Sequence, residues 1–299
     1  YGLPREWLIG IGVITPQGVA TKAGGNVVKN VTGYDLNKLY AGSLGTLGVI
    51  VEASFKLLPI DPEAGALMAS FPSLSASITA GRKLLHSPAA PLGYHCVTAG
   101  VSPRLPDFLQ TASQDLGLGE TGSILSLAFF SGRAKATSRR LEEAAALLLA
   151  EGANTVQQIE GSVSSGMLGW ITDAPSEMSP DSALVMKLSV QTKSATSVSA
   201  ECGEISLFGE RPEQMTDPGF GSIRLFWPKT TGDTDEQQFL ETIQQIRQIA
   251  RQHGGSAVVE QCPLPIKRGI DVWGDPPDSL AVMRSIKDKF DPGGILNPG

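Results

Sequence analysis

The chain has 299 residues, 41% of them hydrophobic, with a mean hydropathy of +0.01, which describes a water-compatible globular protein with room for one large domain or two ordinary ones. Its 24 Lys and Arg against 30 Asp and Glu give a formal net charge of -6, and no basic patch is interleaved with aromatics, so nucleic acid is not an expected partner. No apolar run reaches the roughly 18 residues of a membrane helix, no secretory leader opens the chain, and the three cysteines, without a C-x-x-C pair, supply neither a disulfide framework nor a cluster-ligand set.

These features make the cytoplasm the expected location, with Cys96, Cys202 and Cys262 as buried or idle thiols. The first residue is Tyr1, and "WLIGIGVIT" (Trp7–Thr15) already reads as a strand that wants neighbours on both sides, so the chain is expected to begin in mid-domain. "TPQG" (Thr15–Gly18) has turn chemistry and leads into a second strand, "VATK". Asp35 is predicted to cap a helical turn whose apolar stripe is Leu36, Leu39 and Tyr40, stopped by Gly42. Val49, Val51, Ala53, Phe55 and Leu57 then alternate with Glu52, Ser54 and Lys56, the period of a strand with one buried face, ended by Pro59 and Pro62.

From Ala64 to about Pro263 a strand–helix–strand grammar recurs. "ALMASF", "SLSASITAGRKLLHS" and "GYHCVTA" form one such unit, and "SILSLAFF", "AKATSRRLEEAAALLLAEG" and "NTVQQIE" a second. "SIRLFWP", "DEQQFLETIQQIRQIARQHGG" and "SAVVEQC" form a third. The expected class is α+β, a ferredoxin-like sheet covered on one face by helices. "AGVSPRLPD" (99–107) and "PSEMSPDS" (175–182) read as loops, and 203–219 has no regular pattern. Leu280, Met283, Ile286, Lys287 and Phe290 predict a last helix, stopped by Pro292 with Gly293 and Gly294, before an extended tail that must dock to be ordered. The expected division is 1–60, 61–275 and a C-terminal helix with tail, 276–299, returning to the first domain.

The chemistry concentrates around Gly42, Gly45 and Gly48. Their spacing, with a strand after them, fails the G-x-G-x-x-G dinucleotide pattern, and Val49–Ile50 stand where a P-loop needs Lys and Ser or Thr. Two readings remain: a turn whose N–H groups, with the hydroxyls of Ser43 and Thr46, surround a pyrophosphate or a carbonyl-rich ring, or a hairpin packed on its own sheet. Elsewhere the bland readings lead. His86, His95 and His253 are unpaired; His95 belongs to a core or an interface, and His253 to a helix C-terminus. Arg139–Arg140 with Glu142–Glu143 form a solvated helix face. Lys267, Arg268 and Asp271 belong to a structural loop, and Trp170, Trp227 and Trp273 fill the second domain.

"VVKNVTGYDLNKLYAGSLGTLGVIVEASFKLLP" resembles the end of the flavin domain in FAD-linked oxidases of the vanillyl-alcohol-oxidase, or PCMH, type, and "KFDPGGILNPG" resembles that family's C-terminal signature. Within the family, "GSLGTLGVI" and "IDVWGDPPDSLAVMRSIKDKFDPGGILNPG" look like the smaller FAD-binding subunits of bacterial glycolate oxidases. The resemblance covers 7–59 and 254–299. It implies the C-terminal part of a PCMH-type FAD-binding domain plus a ferredoxin-like cap on the substrate side. It implies FAD lined by Gly42, Ser43, Gly45, Thr46, Gly48, Val49 and Ile50, with Asn297 from the tail. It also implies a role in oxidising a 2-hydroxy acid beside a catalytic FAD subunit and an iron–sulfur subunit, which would bring the chain to the inner membrane peripherally. Two further readings stay open: an autonomous, D-lactate-like 2-hydroxy-acid dehydrogenase and a flavin-free scaffold.

The sequence departs from the family in three places. The cap lacks an "HxGDGNxH"-like motif, Leu44 stands where hydroxy-acid-oxidising relatives carry Glu, and a first FAD subdomain of on the order of 100 residues is expected before Tyr1. No residue is therefore assigned to catalysis and none to a metal.

Overall fold

A computed structural model describes residues 2–27, 33–98, 100, 124–160, 162–229 and 235–298; the expected loop at 99–107 lies outside these but for Gly100. The chain forms two compact units, Tyr1–Ile60 with Pro276–Gly299, and Asp61–Asp275.

The first unit opens with a single turn, α1 (Pro4–Trp7), and builds an antiparallel sheet in the order β2 (Ala20–Gly24), β1 (Leu8–Ile14), β3 (Val49–Phe55). The turn after β1 closes with Gly18 N–H donating to Thr15 O at 2.9 Å. Ile11 and Val13 of β1 pack with Tyr40 and Leu47, and Ile286 and Phe290 of the C-terminal helix (Leu280–Phe290) complete this small core. The short helix α2 (Leu36–Tyr40) forms where its stripe predicts, but Asp35 does not cap it; its carboxylate pairs with Lys38 at 3.3 Å. The expected buried face of β3 is absent. Almost the whole strand is exposed: it is an edge of the three-stranded sheet, and the small core collects on Ile11 and Val13 of the central β1 without a β3 residue. A bulge leaves Val51 unpaired between the Ile50–Val13 and Glu52–Gly12 pairs, which adds local twist beside the loop that precedes the strand.

The second unit is one eight-stranded antiparallel sheet made of two ferredoxin-like halves. The first contains β4 (Glu63–Phe71), α3 (Leu74–Leu85), β5 (Gly93–Val97), β6 (Ile124–Gly132), α4 (Ala134–Ala150) and β7 (Thr155–Glu160). After α5 (Ser162–Met178) the arrangement repeats with β8 (Ser182–Ser189), α6 (Ala195–Gly203), β9 (Glu213–Asp217), β10 (Ser222–Pro228), α7 (Glu236–Gln252) and β11 (Ser256–Gln261), before a short α8 (Leu264–Gly269). Each half orders its strands fourth, first, third, second, and the halves join through β5 and β9. One sheet face is covered by α3, α4, α6 and α7 over a core holding Phe71, Tyr94, Phe130, Trp227 and Phe239.

Two expectations are corrected here. The segment read as a loop at 175–182 contains the end of α5, and "SALVMKLS" is strand β8, which opens the second half. The sheet is also covered on both faces in part: Met167, Trp170, Ile171, Ala174 and Met178, at helical spacing, pack α5 against Met68, Leu127 and Phe129 on the side opposite the other helices. Pro175 at the polar end of this helix is what made it look irregular.

The join between the halves is short and polar. Cys96–Thr216 and Val97–Met215 pair across it, Thr98 N–H donates to Gln214 O at 3.1 Å, and His95 approaches Asp217 at 3.8 Å while its ring meets Phe129 edge-on at 6.1 Å. Burial lowers the His95 pKa, and the Asp217 charge opposes that shift. The folded state thus resists protonating His95, so this group's contribution is complete above the ordinary histidine value of 6.5 and is lost as the pH falls below it. Chemical denaturation at pH 7.5 and 5.5 (about one unit to either side of that value) should show a smaller acid loss in His95→Gln than in the parent. Equal losses would exclude His95 as the source.

Candidate cofactor site

The site is built where α2 runs out. Ala41 N–H still donates to Asn37 O at 2.9 Å, and then two linked turns follow, Ser43 N–H to Tyr40 O and Thr46 N–H to Ser43 O, each at 3.0 Å. These turns put Gly42, Leu44 and Gly45 at φ of 89°, 54° and 74°. For leucine that backbone region costs on the order of 1–2 kcal/mol. What holds it is the tail, for the Leu44 carbonyl accepts the Asn297 Nδ2 hydrogen bond at 2.6 Å. Gly48 has a different reason to be glycine: a Cβ there would lie 2.5 Å from Val13 Cγ1 and 3.2 Å from Tyr40 Cε1, so only a bare backbone lets the loop close onto the sheet.

The tail is ordered from the C-terminal helix. Asp291, whose side chain has no accessible surface, accepts Ile295 N–H at 3.1 Å on one oxygen and Leu296 N–H at 2.9 Å on the other. Lys287 reaches the same carboxylate at 2.6 Å. The hydrogen bond from Lys287, helped by the two backbone donors and opposed by desolvation, holds the Asp291 carboxyl below its usual value of 3.8. Phe290 meets Tyr40 edge-on with centroids 5.8 Å apart, so helix and loop share one aromatic contact.

Between loop and tail runs a groove of about 550 Å³, within the roughly 300–1,000 Å³ range of small-molecule and cofactor sites. The loop contributes Gly42, Ser43, Leu44, Gly45 and Gly48 to the groove lining, the end of α2 contributes Tyr40, the start of β3 Val49 and Ile50, and the tail Ile295, Leu296 and Asn297. Val49 and Ile50 are 52% and 43% exposed, a β-branched apolar surface left bare on an edge strand. No lining residue is acidic or basic. Backbone groups, the Ser43 hydroxyl, the Asn297 carboxamide and the Tyr40 ring beside an apolar wall fit a flat, uncharged ring rimmed with carbonyl and N–H groups, such as a flavin.

Seven of the eight residues singled out from the sequence come together here: Gly42, Ser43, Gly45, Gly48, Val49, Ile50 and Asn297. Thr46 is not among the lining residues; its carbonyl accepts from Lys287 at 2.9 Å. Sequence reasoning missed Tyr40, Ile295 and Leu296 as lining groups, and Lys287 and Asp291 as the groups that set the tail. The Lys–Asp spacing of four residues just before Pro-Gly-Gly is the signal that was there to read.

The remaining candidates have structural partners. Burial pushes the Cys96 and Cys202 thiols up to about 12, which removes them as nucleophiles or metal ligands at neutral pH. His253 Nε2 lies 2.9 Å from Glu201 Oε1 at the end of α7. Asp271 accepts Trp273 N–H at 2.9 Å. Arg140 is not on a solvated face: it donates to Ser131 O at 3.2 Å and to Ala90 O, over the Phe130 ring. Trp170 and Trp227 are buried as expected, whereas Trp273 is 55% exposed. Among the described residues no group of three or more His, Cys, Asp and Glu is placed to hold a metal, and no helix is long and apolar enough to cross a membrane.

Residues 272–299 match the family model of FAD linked oxidases, C-terminal domain. The whole chain is similar to glycolate oxidase subunit GlcD of Bacillus subtilis (strain 168), 24% identical over 307 residues, and spans 64% of that protein's length. A stretch of 58 residues, 19% of this chain and 17% of the relative, is 48% identical to glycolate oxidase subunit GlcE of Escherichia coli (strain K12). Among solved structures, alkyldihydroxyacetonephosphate synthase superposes on 100% of this chain and 54% of its own with a TM-score of 0.65 at 15% identity, a likeness of fold.

Proposed function

We propose that this chain, a member of the FAD-linked oxidases with FAD as its cofactor, holds the flavin in the groove between the 42–50 loop and the 295–297 tail. In this reading it serves as the FAD-binding subunit of a glycolate oxidase-type complex, supporting oxidation of a 2-hydroxy acid with electrons passed to an iron–sulfur partner subunit. The groove is the observation that carries the reading. It brings two sequence-distant segments, the tail that matches the family model and the glycine-rich loop that resembles the family, into the lining of one apolar slot. The likeness to both GlcD and GlcE supports the multi-subunit setting.

The residues present have defined tasks. Gly42 and Gly45 let the backbone approach the ring edge, while Val49 and Ile50 exclude water from one ring face. Ser43 and Asn297 offer a hydroxyl and a carboxamide to the ring's polar rim. Bound flavin would supply two-electron chemistry, taking hydride equivalents from the substrate and releasing electrons to the next carrier. Among the described residues no acidic or basic side chain lines the groove.

The test is the visible spectrum of protein purified from its complete coding region. The oxidised-flavin band should be present in the parent and absent when Ile50 is replaced by Asp, with the circular dichroism of the fold retained. A colourless parent that cannot be reconstituted with FAD would leave the scaffold reading in its place. Glycolate-dependent dye reduction by this subunit alone would instead assign an autonomous dehydrogenase.

A further inference from the structure

We propose that Lys287 is the positioning residue of this site: its ammonium fixes the separation of the groove's two sides by holding the loop and the tail at once. The inference rests on the flavin reading of the groove for its consequence, though not for its geometry.

Three acceptors converge on Lys287 Nζ. Thr46 O, from the loop, lies at 2.9 Å; Asn297 O, from the tail, at 3.0 Å; and Asp291 Oδ2, one helical turn on, at 2.6 Å. An ammonium has three N–H donors and no acceptor, so this set uses its capacity in full. An i,i+4 pair on a helix surface would stabilise only the helix, and weakly. Here the same cation also binds carbonyls 241 residues back and 10 residues ahead in the chain. Four-fifths of its side chain is covered, so the charge-assisted bonds are shielded from competing water.

The three bonds divide into two tasks. Asp291 can order the tail by itself, through Ile295 N–H and Leu296 N–H. What Asp291 does not do is tie the tail to the loop. Among the described residues two hydrogen-bonded links cross the groove: the Asn297 Nδ2 hydrogen bond to Leu44 O, and the bridge from Thr46 O through Lys287 to Asn297 O. Both hold Asn297, one by its side chain and one by its main chain, so they fix its position and its orientation together. Without the bridge, the tail keeps its Asp291 acceptors but loses its registration against the loop, so it opens more often.

Lysine is required by this geometry as well as by charge. A guanidinium is a planar fork, suited to paired oxygens in one plane, whereas these acceptors belong to three separate chain segments around one nitrogen. Lys287→Arg therefore keeps the cation and fails to make the bridge.

The test compares parent, Lys287→Met and Lys287→Arg by flavin fluorescence titration with FAD, and by hydrogen exchange of the 292–298 peptide without FAD. Lys287→Met is expected to weaken FAD binding by about tenfold to a hundredfold, the scale of one charge-assisted hydrogen bond or more, and Lys287→Arg to recover less than half of that loss on a logarithmic scale. Exchange in the flavin-free tail should be faster in both variants than in the parent. Parental affinity in a folded Lys287→Met, or full rescue by Arg, overturns the proposal; should Lys287→Met not fold, Lys287→Arg decides it alone. If the parent binds no FAD, the cofactor reading fails and the bridge stands or falls on the exchange data: unchanged tail exchange in both variants overturns it.

Discussion

Replacing Gly45 by alanine is expected to weaken FAD binding at least tenfold (roughly 1.4 kcal/mol) and to destabilise the first unit by about 1–2 kcal/mol. Two effects combine at this position. Its φ of 74° belongs to the left-handed region, where any Cβ is strained. An alanine Cβ would also stand 2.9 Å from Asn297 Nδ2, which is the atom bonded to Leu44 O. The carboxamide can swing away at small cost, but in doing so it releases the direct link between loop and tail. Gly18→Ala, in the turn after β1 and outside the groove lining, is the matched control. It has a φ of 75° and nothing within 4 Å of its would-be Cβ, so it carries the backbone penalty without touching the tail. Stability should therefore fall in both variants, measured by denaturant unfolding, while FAD affinity should fall much further in Gly45→Ala. Equal losses of affinity would mean that Asn297 plays no part in the site.

Trp227→Ala is expected to destabilise the second unit by about 3–5 kcal/mol, the range for emptying a large aromatic site in a packed core. Trp227 is fully buried on the face of β10 covered by helices, and its indole N–H donates to Ile205 O at 3.1 Å. Truncation removes the largest fully buried side chain and leaves that carbonyl without its donor. Trp227→Phe keeps most of the volume and loses the hydrogen bond, so its cost should stay near 1–2 kcal/mol. Denaturant midpoints followed by far-ultraviolet circular dichroism separate the two. A Trp227→Ala loss no larger than that of Trp227→Phe would show that the site collapses to fill the space.

Local pattern was a sound guide wherever a segment's own neighbours decide its shape. The stripe at Leu36, Leu39 and Tyr40 gave α2, and the strand and helix runs in "ALMASF", "AKATSRRLEEAAALLLAEG" and "SIRLFWP" fall on β4, α4 and β10. Pattern failed where a distant partner decides. Alternation in β3 predicts a buried face, yet alternation cannot say whether a strand is central or at an edge, and β3 is at an edge. The α5 segment carries Pro175 and polar residues in its last turn, and its apolar stripe makes sense only against a sheet face whose residues, Met68, Leu127 and Phe129, belong to strands far earlier in the chain. Without β8 and α5 the duplication of the ferredoxin-like half stayed hidden.

By itself, then, the sequence determined that this is an acidic α+β protein with a C-terminal segment that matches the FAD linked oxidases and a glycine-rich segment that resembles them, because glycine spacing, turn chemistry and motif identity are written in consecutive residues. Only the tertiary structure decided that those segments face each other across a groove, that Thr46 contributes a carbonyl to Lys287 in place of a hydroxyl to the lining, and that Asp291 is the anchor of the tail. Such facts depend on hydrogen bonds closing over 241 residues of chain, and no local period encodes which donor a distant carbonyl will find.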